Sequence, residues 1–322
     1  MKTIKMTVYS LAIALSMGSL TSCGDDDGNN ITPPPAGYTN SDEIGASNLV
    51  AKWSFENNAT DSKTGNVGTQ TEAAYTAGAK GQAWEGSSSE ARYSVYDGMT
   101  AVGNLNSFTI AFWMNSAGTV ADTGTPEQGK GTQGIFALVK PDEFWGAMNV
   151  FLENPSADHP NRLRLKYLFE NERTGINWVA YGPIVNIDGE LNEWIHVVMT
   201  YDATTSRFSS YVNGIPAANI EAAMAPEGGY TTGSFIAFSN DPGDLSNPNN
   251  VPLWGNINWG GTYSKVVLGS HQFTTTPSLT SSHGTEAWST TYAGKLDEFR
   301  LYNIALSGSD VGSLYELEKN GF

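Results

Sequence analysis

Apolar and polar residues alternate with a period of two along much of the chain. In Ser107–Asn115, Phe108, Ile110, Phe112 and Met114 fall on one side, and Thr109, Ala111 and Trp113 on the other. Arg162–Phe169 is sharper still, with Leu163, Leu165, Tyr167 and Phe169 opposing Arg162, Arg164 and Lys166. Successive strand side chains point to opposite faces, so this spacing predicts strands with one core face and one polar face. The same reading predicts strands at Leu49–Phe55, Ile135–Val139, Met148–Leu152, Ile176–Tyr181, Trp194–Tyr201, Phe208–Val212, Lys265–Gly269 and Leu296–Tyr302. About ten strands exceed the usual single sheet. Asn213-Gly214, directly after one strand, favours the positive φ angles of a tight hairpin. Only Ala305–Lys319 reads as a helix, with Ser307 as its N-cap. Pro226–Gly261 is crowded with Gly, Asn, Pro and Ser yet holds Tyr230, Phe235, Phe238, Trp254 and Trp259. A loop that long is ordinarily functional or disordered, and its aromatics argue against disorder.

The N-terminus departs from this pattern. Lys2 and Lys5 precede an apolar stretch, Met6–Leu20, too short and too weakly apolar for a comfortable membrane span but laid out as a secretory signal. It ends in Leu20-Thr21-Ser22-Cys23, which resembles the bacterial lipobox, and Cys23 is the only cysteine. Residues 1–22 are therefore expected to be a lipoprotein signal peptide, with Cys23 lipidated. Gly24 to Asn30 and Pro33-Pro34-Pro35 bury nothing, so residues 23–47 are expected to be a disordered acidic, Pro-rich tether. Its acidic start resembles the signal that sends lipoproteins to the outer face of the outer membrane in glycan-foraging Gram-negative bacteria.

Charge narrows the partners. The chain carries 17 basic and 33 acidic residues. That balance repels nucleic acid and anionic membrane surfaces, so membrane attachment is expected through the lipid anchor alone. Residues 48–322, rich in Trp, Tyr, Phe and turn-forming Gly, suit one large β domain.

Four segments, in order, resemble the laminin-G-like, concanavalin A-like family. They are Leu49–Ser62 with its Asp-bearing turn, Ser107–Met114, the pair Trp194–Asp202 and Tyr211–Gly214, and the closing Gly294–Ser307. The resemblance spans Leu49 to Tyr315 and implies an all-β, two-sheet antiparallel jelly-roll sandwich with one short C-terminal helix. It also implies a choice of function, because this fold hosts lectins, hydrolases, lyases and adhesion modules.

Carbohydrate binding is the expectation. Aromatic faces cover the C–H face of a sugar ring, and neighbouring amides and carboxylates satisfy its hydroxyls. Trp254, Trp259, Tyr263 and Trp288 lie in or beside polar loop segments and are the candidate stacking residues. Catalysis is not expected: Asp297 and Glu298 are adjacent, so on a regular strand they point to opposite faces, and no strand carries alternating carboxylates. Asp297 shares a face with Phe299 and Leu301 on such a strand, where a carboxylate needs a proton, a partner or a cation. With Glu56, Asn58 and Asp61 in the first turn it makes a candidate structural Ca²⁺ site. The expected protein is a surface-exposed outer-membrane lipoprotein that binds polysaccharide for glycan-uptake partners. The alternatives are a glycoside hydrolase or polysaccharide lyase on the same fold, and an adhesion module for host or matrix protein.

Overall fold

A computed structural model describes residues 37–119, 131–172, 180–221, 230–237, 253–281 and 283–322. Cys23, the signal segment and much of the long Pro226–Gly261 segment lie outside the described residues.

Two sheets face one another. The first runs in the order Ile215–Pro216, Arg207–Val212, Ile195–Asp202, Phe108–Asn115, Lys295–Tyr302, Gln82–Glu85, Tyr75–Ala77; Leu49–Trp53 also pairs with Lys295–Tyr302, and Ser234–Ile236 with Arg207–Val212. The second runs Tyr230–Thr231, Ile220–Glu221, Ile184–Asp188, Arg162–Glu170, Met148–Glu153, Thr132–Leu138, Val266–Leu268, Tyr93–Tyr96, Thr69–Thr71. Ala180–Tyr181 joins Arg162–Glu170, and Ser289–Thr291 lies parallel to Thr132–Leu138, the one parallel pairing among the described strands. The first and last long strands of the domain are thus neighbours.

The alternation explains the core. Phe108, Ile110, Phe112 and Met114 meet Leu163, Leu165, Tyr167 and Phe169 in a single apolar cluster between the sheets. Phe299 stacks on Phe112 at 4.8 Å and on Phe136 at 5.5 Å, so the closing strand ties the two layers together. Asn213 and Gly214 have φ of 50° and 76° and turn Arg207–Val212 back into Ile215–Pro216.

The outer faces differ, and this places the site. The helix Gly308–Lys319 covers the outer face of the first sheet, packing Val311, Leu314 and Leu317 with Ala111, Val198 and Tyr302. Ser307 caps it, accepting from the Asp310 N–H at 3.1 Å. The segment expected to be tether also contributes: Ile44 packs under the helix, and Asp42 binds both Lys52 and Arg300 at 2.6 Å. The folded unit therefore begins before residue 48, because the tail of that polar run has partners on the closing strand. Beneath the helix, Arg300 also pairs with Glu298 and Glu318. Among the described residues, 270–281 and 283–288 fold over part of the outer face of the second sheet, with Leu279 packed against the cluster of Ala137 and Val267. Among the described residues, the side chains of Arg162, Arg164 and Lys166 on the rest of that face are 11–25% exposed.

The closing strand corrects one expectation. Asp297 lies opposite Trp113 and Arg300 opposite Ala111, so two residues, Glu298 and Phe299, stand against the single Phe112. This is a β-bulge, with Glu298 at φ 44°. It inverts the alternation, so Asp297 shares the face of Trp113, while Phe299 and Leu301 point into the core.

Candidate functional site: an aromatic recess on the open sheet face

Phe151 and Glu153 of one strand and Arg164 of the next point outward from the second sheet. Their chain neighbours Leu152 and Leu165 point inward, so the alternation seen in the sequence sets this orientation. Residues 270–281 and 283–288 fold back over the same face, where the buried Phe273 lies 5.7 Å from Trp288. The loop after Thr132–Leu138 brings Trp145 onto Phe151, stacked at 5.1 Å and 9°.

A recess of about 250 Å³ results, lined by Thr132, Trp145, Phe151, Glu153, Asn154, Arg164 and Trp288. Trp145 and Trp288 are both half-buried, 5.7 Å apart at 46°, so each leaves part of its ring to solvent. The polar edge is ordered by charge pairs. Glu153 binds Lys166 at 2.6 Å and Arg164 at 3.4 Å, and Arg164 also binds Glu221 at 2.8 Å and the Asn154 carbonyl at 3.0 Å. Asn154 Oδ1 is buried without a hydrogen-bond partner. Behind the recess, His271 lies 5.1 Å from Phe151, and burial depresses its pKa to about 3, so it stays neutral.

The aromatic residues singled out by sequence do not gather here. Trp254 is fully buried, edge-on to Tyr201 at 5.4 Å, and Trp259 is 4% exposed with its N–H donated to the Leu105 carbonyl. Both fasten the long segment to the core and offer no open face. Tyr263 is half-buried, with Lys140 Nζ 5.7 Å from its ring centre. Trp288 alone reaches the recess. Trp145, its counterpart, was passed over because nothing in Glu143-Phe144-Trp145-Gly146 marks a site; only the fold brings it to Trp288.

Glu170 and Glu172, carboxylates that no spacing in the sequence singles out, form a second cluster with Lys140. Lys140 binds Glu170 at 2.6 Å and Glu172 at 3.4 Å, an i, i+2 carboxylate pair at a strand end. Burial raises the Glu170 pKa to about 7 against the pull of Lys140, and its Oε2 has no hydrogen-bond partner. Gly260, at φ 76°, lies so close that a Cβ there would collide with the Glu172 carboxylate.

The four-residue calcium constellation is not assembled. Among the described residues no group of three or more His, Cys, Asp or Glu stands together to hold a metal. Asp61 is buried and accepts the Lys52 and Lys63 N–H groups and the Thr64 hydroxyl, fixing its own turn. Asn58 closes a local turn on Thr60. Glu56 and Asp297 do meet one feature, the turn at Gly78–Gln82: Glu56 accepts from the Gln82 N–H at 3.2 Å and Asp297 from the Lys80 N–H at 2.8 Å. Burial lifts the Asp297 pKa to about 8, opposed by that N–H.

Comparison with known proteins agrees with this architecture. Among solved structures, the binding domain of Paraclostridial Mosquitocidal Protein 1 matches with a TM-score of 0.50 and 15% identity, over 84% of this chain and 52% of that one. The chain thus spans about half of that protein's length. Domain 4 of AbnA, a GH43 extracellular arabinanase from Geobacillus stearothermophilus solved with arabinotriose, matches at TM-score 0.43 and 16% identity, over 83% and 98%. The binding domain of Botulinum Neurotoxin DC, solved with SialylT, matches at TM-score 0.45 and 11% identity, over 84% and 52%. No curated protein matches at the sequence level. The sequence profile of one family matches residues 90–253, half of the chain, and it covers the strands that build the recess. By that match and by its two-sheet fold, the chain belongs to the concanavalin A-like lectin/glucanases superfamily.

Proposed function

We propose that the protein binds carbohydrate, without turning it over, at the recess between Trp145 and Trp288. The carrying observation is the pair of half-open indole rings at one edge of a recess whose other edge is polar. Indole faces cover the C–H face of a sugar ring, while Asn154 Oδ1, Glu153 and Thr132 are positioned to meet hydroxyls. Membership of a superfamily named for lectins and glucanases supports the reading. A glycan array with the soluble domain tests it: hits lost in Trp145→Ala and Trp288→Ala are expected, and hits retained in both variants would move the site elsewhere.

A hydrolase or lyase is the second reading, favoured by Glu170, since a general acid needs a pKa near the working pH. Against it, Glu170 is held in a buried ion pair with Lys140 at 2.6 Å, which engages the carboxylate that would have to deliver the proton. Reducing-end and unsaturated-product assays on each array hit distinguish the two. The adhesion reading has less behind it, since among the described residues Val67, Ile215 and Leu253 are the exposed large apolar side chains.

The cellular setting is part of the same proposal: lipidation at Cys23, display at the outer-membrane surface, and service to glycan-uptake partners. Among the described residues no helix is long and apolar enough to cross a membrane. Cys23→Ala should release the protein from membranes; a wild-type chain found soluble and unmodified would sink the anchor. A structural Ca²⁺ is also retained as a proposal, held by Glu56 and Asp297 rather than by all four candidates. Two hard oxygen donors at one turn are the fitting observation.

A further inference from the structure

A second recess lies where the strand Ile184–Asp188 ends against the hairpin at Val212–Asn219. It measures about 330 Å³ and is lined by Asn186, Asp188, Glu190, Asn213 and Asn219 on its polar side and by Ile187, Ile215 and Pro216 among its apolar walls. Asn186 is 6% exposed, and its Oδ1 has no hydrogen-bond partner. The amide cannot simply be turned round, because its Nδ2 donates to Glu221 Oε1 at 3.0 Å and approaches Asn219 Oδ1 at 3.4 Å. A buried acceptor left over in this way calls for a donor.

The two recesses are connected by one row of side chains. Glu153 lies opposite Arg164, and Arg164 opposite Asn186, so all three stand side by side on adjacent strands of the open face. Strand spacing puts Asn186 about 10 Å from Glu153. Glu221 stitches the row, accepting from Arg164 at 2.8 Å on one oxygen and from Asn186 on the other. The row is also electrically closed: Arg162 pairs with Asp188 at 2.8 Å, Arg164 with Glu221 and Lys166 with Glu153. Each cation on the strip has its own carboxylate, so none is left to recognise an anionic ligand.

We propose that the Asn186 recess is a second carbohydrate subsite, so that the open face takes a neutral, linear glycan lying across the strands. One ring would stack at Trp145 and Trp288, and a later ring would enter the Asn186 recess and donate a hydroxyl to Oδ1. This rests on the carbohydrate reading above. It adds that the ligand is bound along its length, uncharged, and held better as it grows.

The test is isothermal titration of the folded domain with malto-, cello- and xylo-oligosaccharides, from two to six units each, alongside oligogalacturonates. Affinity should rise with length in at least one neutral series and change little with salt. Ala218→Tyr fills the second recess from an exposed position and should lower affinity for the longest chains about tenfold, leaving disaccharide binding unchanged. Asn186→Ser, checked by melting temperature, serves if the bulky variant misfolds, and should have the same length-selective effect. Unchanged long-chain affinity in a folded variant, with binding still lost in Trp288→Ala, would overturn the second subsite and leave the first standing. Tighter, salt-sensitive oligogalacturonate binding would overturn the neutral-ligand assignment. No response from any series at millimolar concentration would overturn the carbohydrate reading and this proposal together.

Discussion

Trp254 and Trp288 both lie in or beside segments rich in Gly, Asn, Ser and Thr, yet they end in opposite roles. Trp254 is fully buried against Tyr201 and Phe208, while Trp288 keeps part of its ring open beside Trp145. Substitution should separate them. Trp254→Ala leaves a cavity in the core and should cost about 3–5 kcal/mol of stability, read as a lower urea midpoint, with any glycan affinity of the folded fraction kept. Trp288→Ala should leave the midpoint within about 1 kcal/mol and cost binding instead. If Trp254→Ala unfolds no more easily than wild type, its assignment to the core is wrong. Composition could not have told the two apart, because which indole is covered depends on strands far away in the chain.

Elements were legible where alternation ran long. Phe108–Asn115, Arg162–Glu170, Ile195–Asp202 and Lys295–Tyr302 fall within a residue or two of their expected spans, and the Asn213-Gly214 hairpin turns where its φ preference says. Several strands of two to four residues, such as Thr69–Thr71 and Ile220–Glu221, were missed because so short a run carries no period, although Val266–Leu268 falls inside the expected Lys265–Gly269. Ile184–Asp188 was missed too, a five-residue strand in which Asn186 and Asp188 are the polar half of a short alternation. That omission hid the second recess. The bulge at Glu298 was equally silent: a regular strand would have sent Asp297 inward, and nothing local to Leu296–Phe299 announces an extra residue. The C-terminal helix was legible from its cap, and the cap can be weighed. Ser307 Oγ accepts from the Asp310 N–H, so Ser307→Ala should cost about 0.5–2 kcal/mol, while Ser307→Asp keeps the acceptor and should cost little. Equal midpoints for Ser307→Ala and wild type would show that packing on Ala111, Val198 and Tyr302 holds the helix without its cap.

Across the whole molecule the buried titratable groups oppose one another, and their windows predict how stability depends on pH. A carboxylate whose pKa is raised on folding favours the fold while protonated; its contribution is complete below the unfolded value and fades as pH rises through the folded one. Burial gives Asp297 such a window from 3.8 to about 8 and Glu170 one from 4.5 to about 7. Burial raises Glu318 in the same sense, against Arg300. The histidines run the other way: burial takes His196 and His271 from 6.5 to about 3, so their neutral forms favour the fold above 6.5 and the contribution is lost as pH falls toward 3. Asp42, which Arg300 and Lys52 bring to about 2 against the effect of burial, adds to loss only at strong acid. Between about pH 4.5 and 6.5 the two histidines offset two of the three carboxylates, so stability should fall only gently. Above 6.5 the histidines no longer titrate, the carboxylates still do, and stability should fall by roughly 1–3 kcal/mol by pH 8.5. Urea midpoints at pH 5, 6.5 and 8.5 in EDTA measure this. Asp297→Asn should flatten the upper limb, because it removes the group with the highest window. Millimolar Ca²⁺ at pH 8.5 should restore wild type but not Asp297→Asn if Glu56 and Asp297 hold the ion, since binding to the folded state alone stabilises it by mass action. A wild-type midpoint that is level from pH 6.5 to 8.5 without metal would mean that Asp297 and Glu170 are already ionised in the fold, and that the turn at Gly78–Gln82 and Lys140 neutralise them.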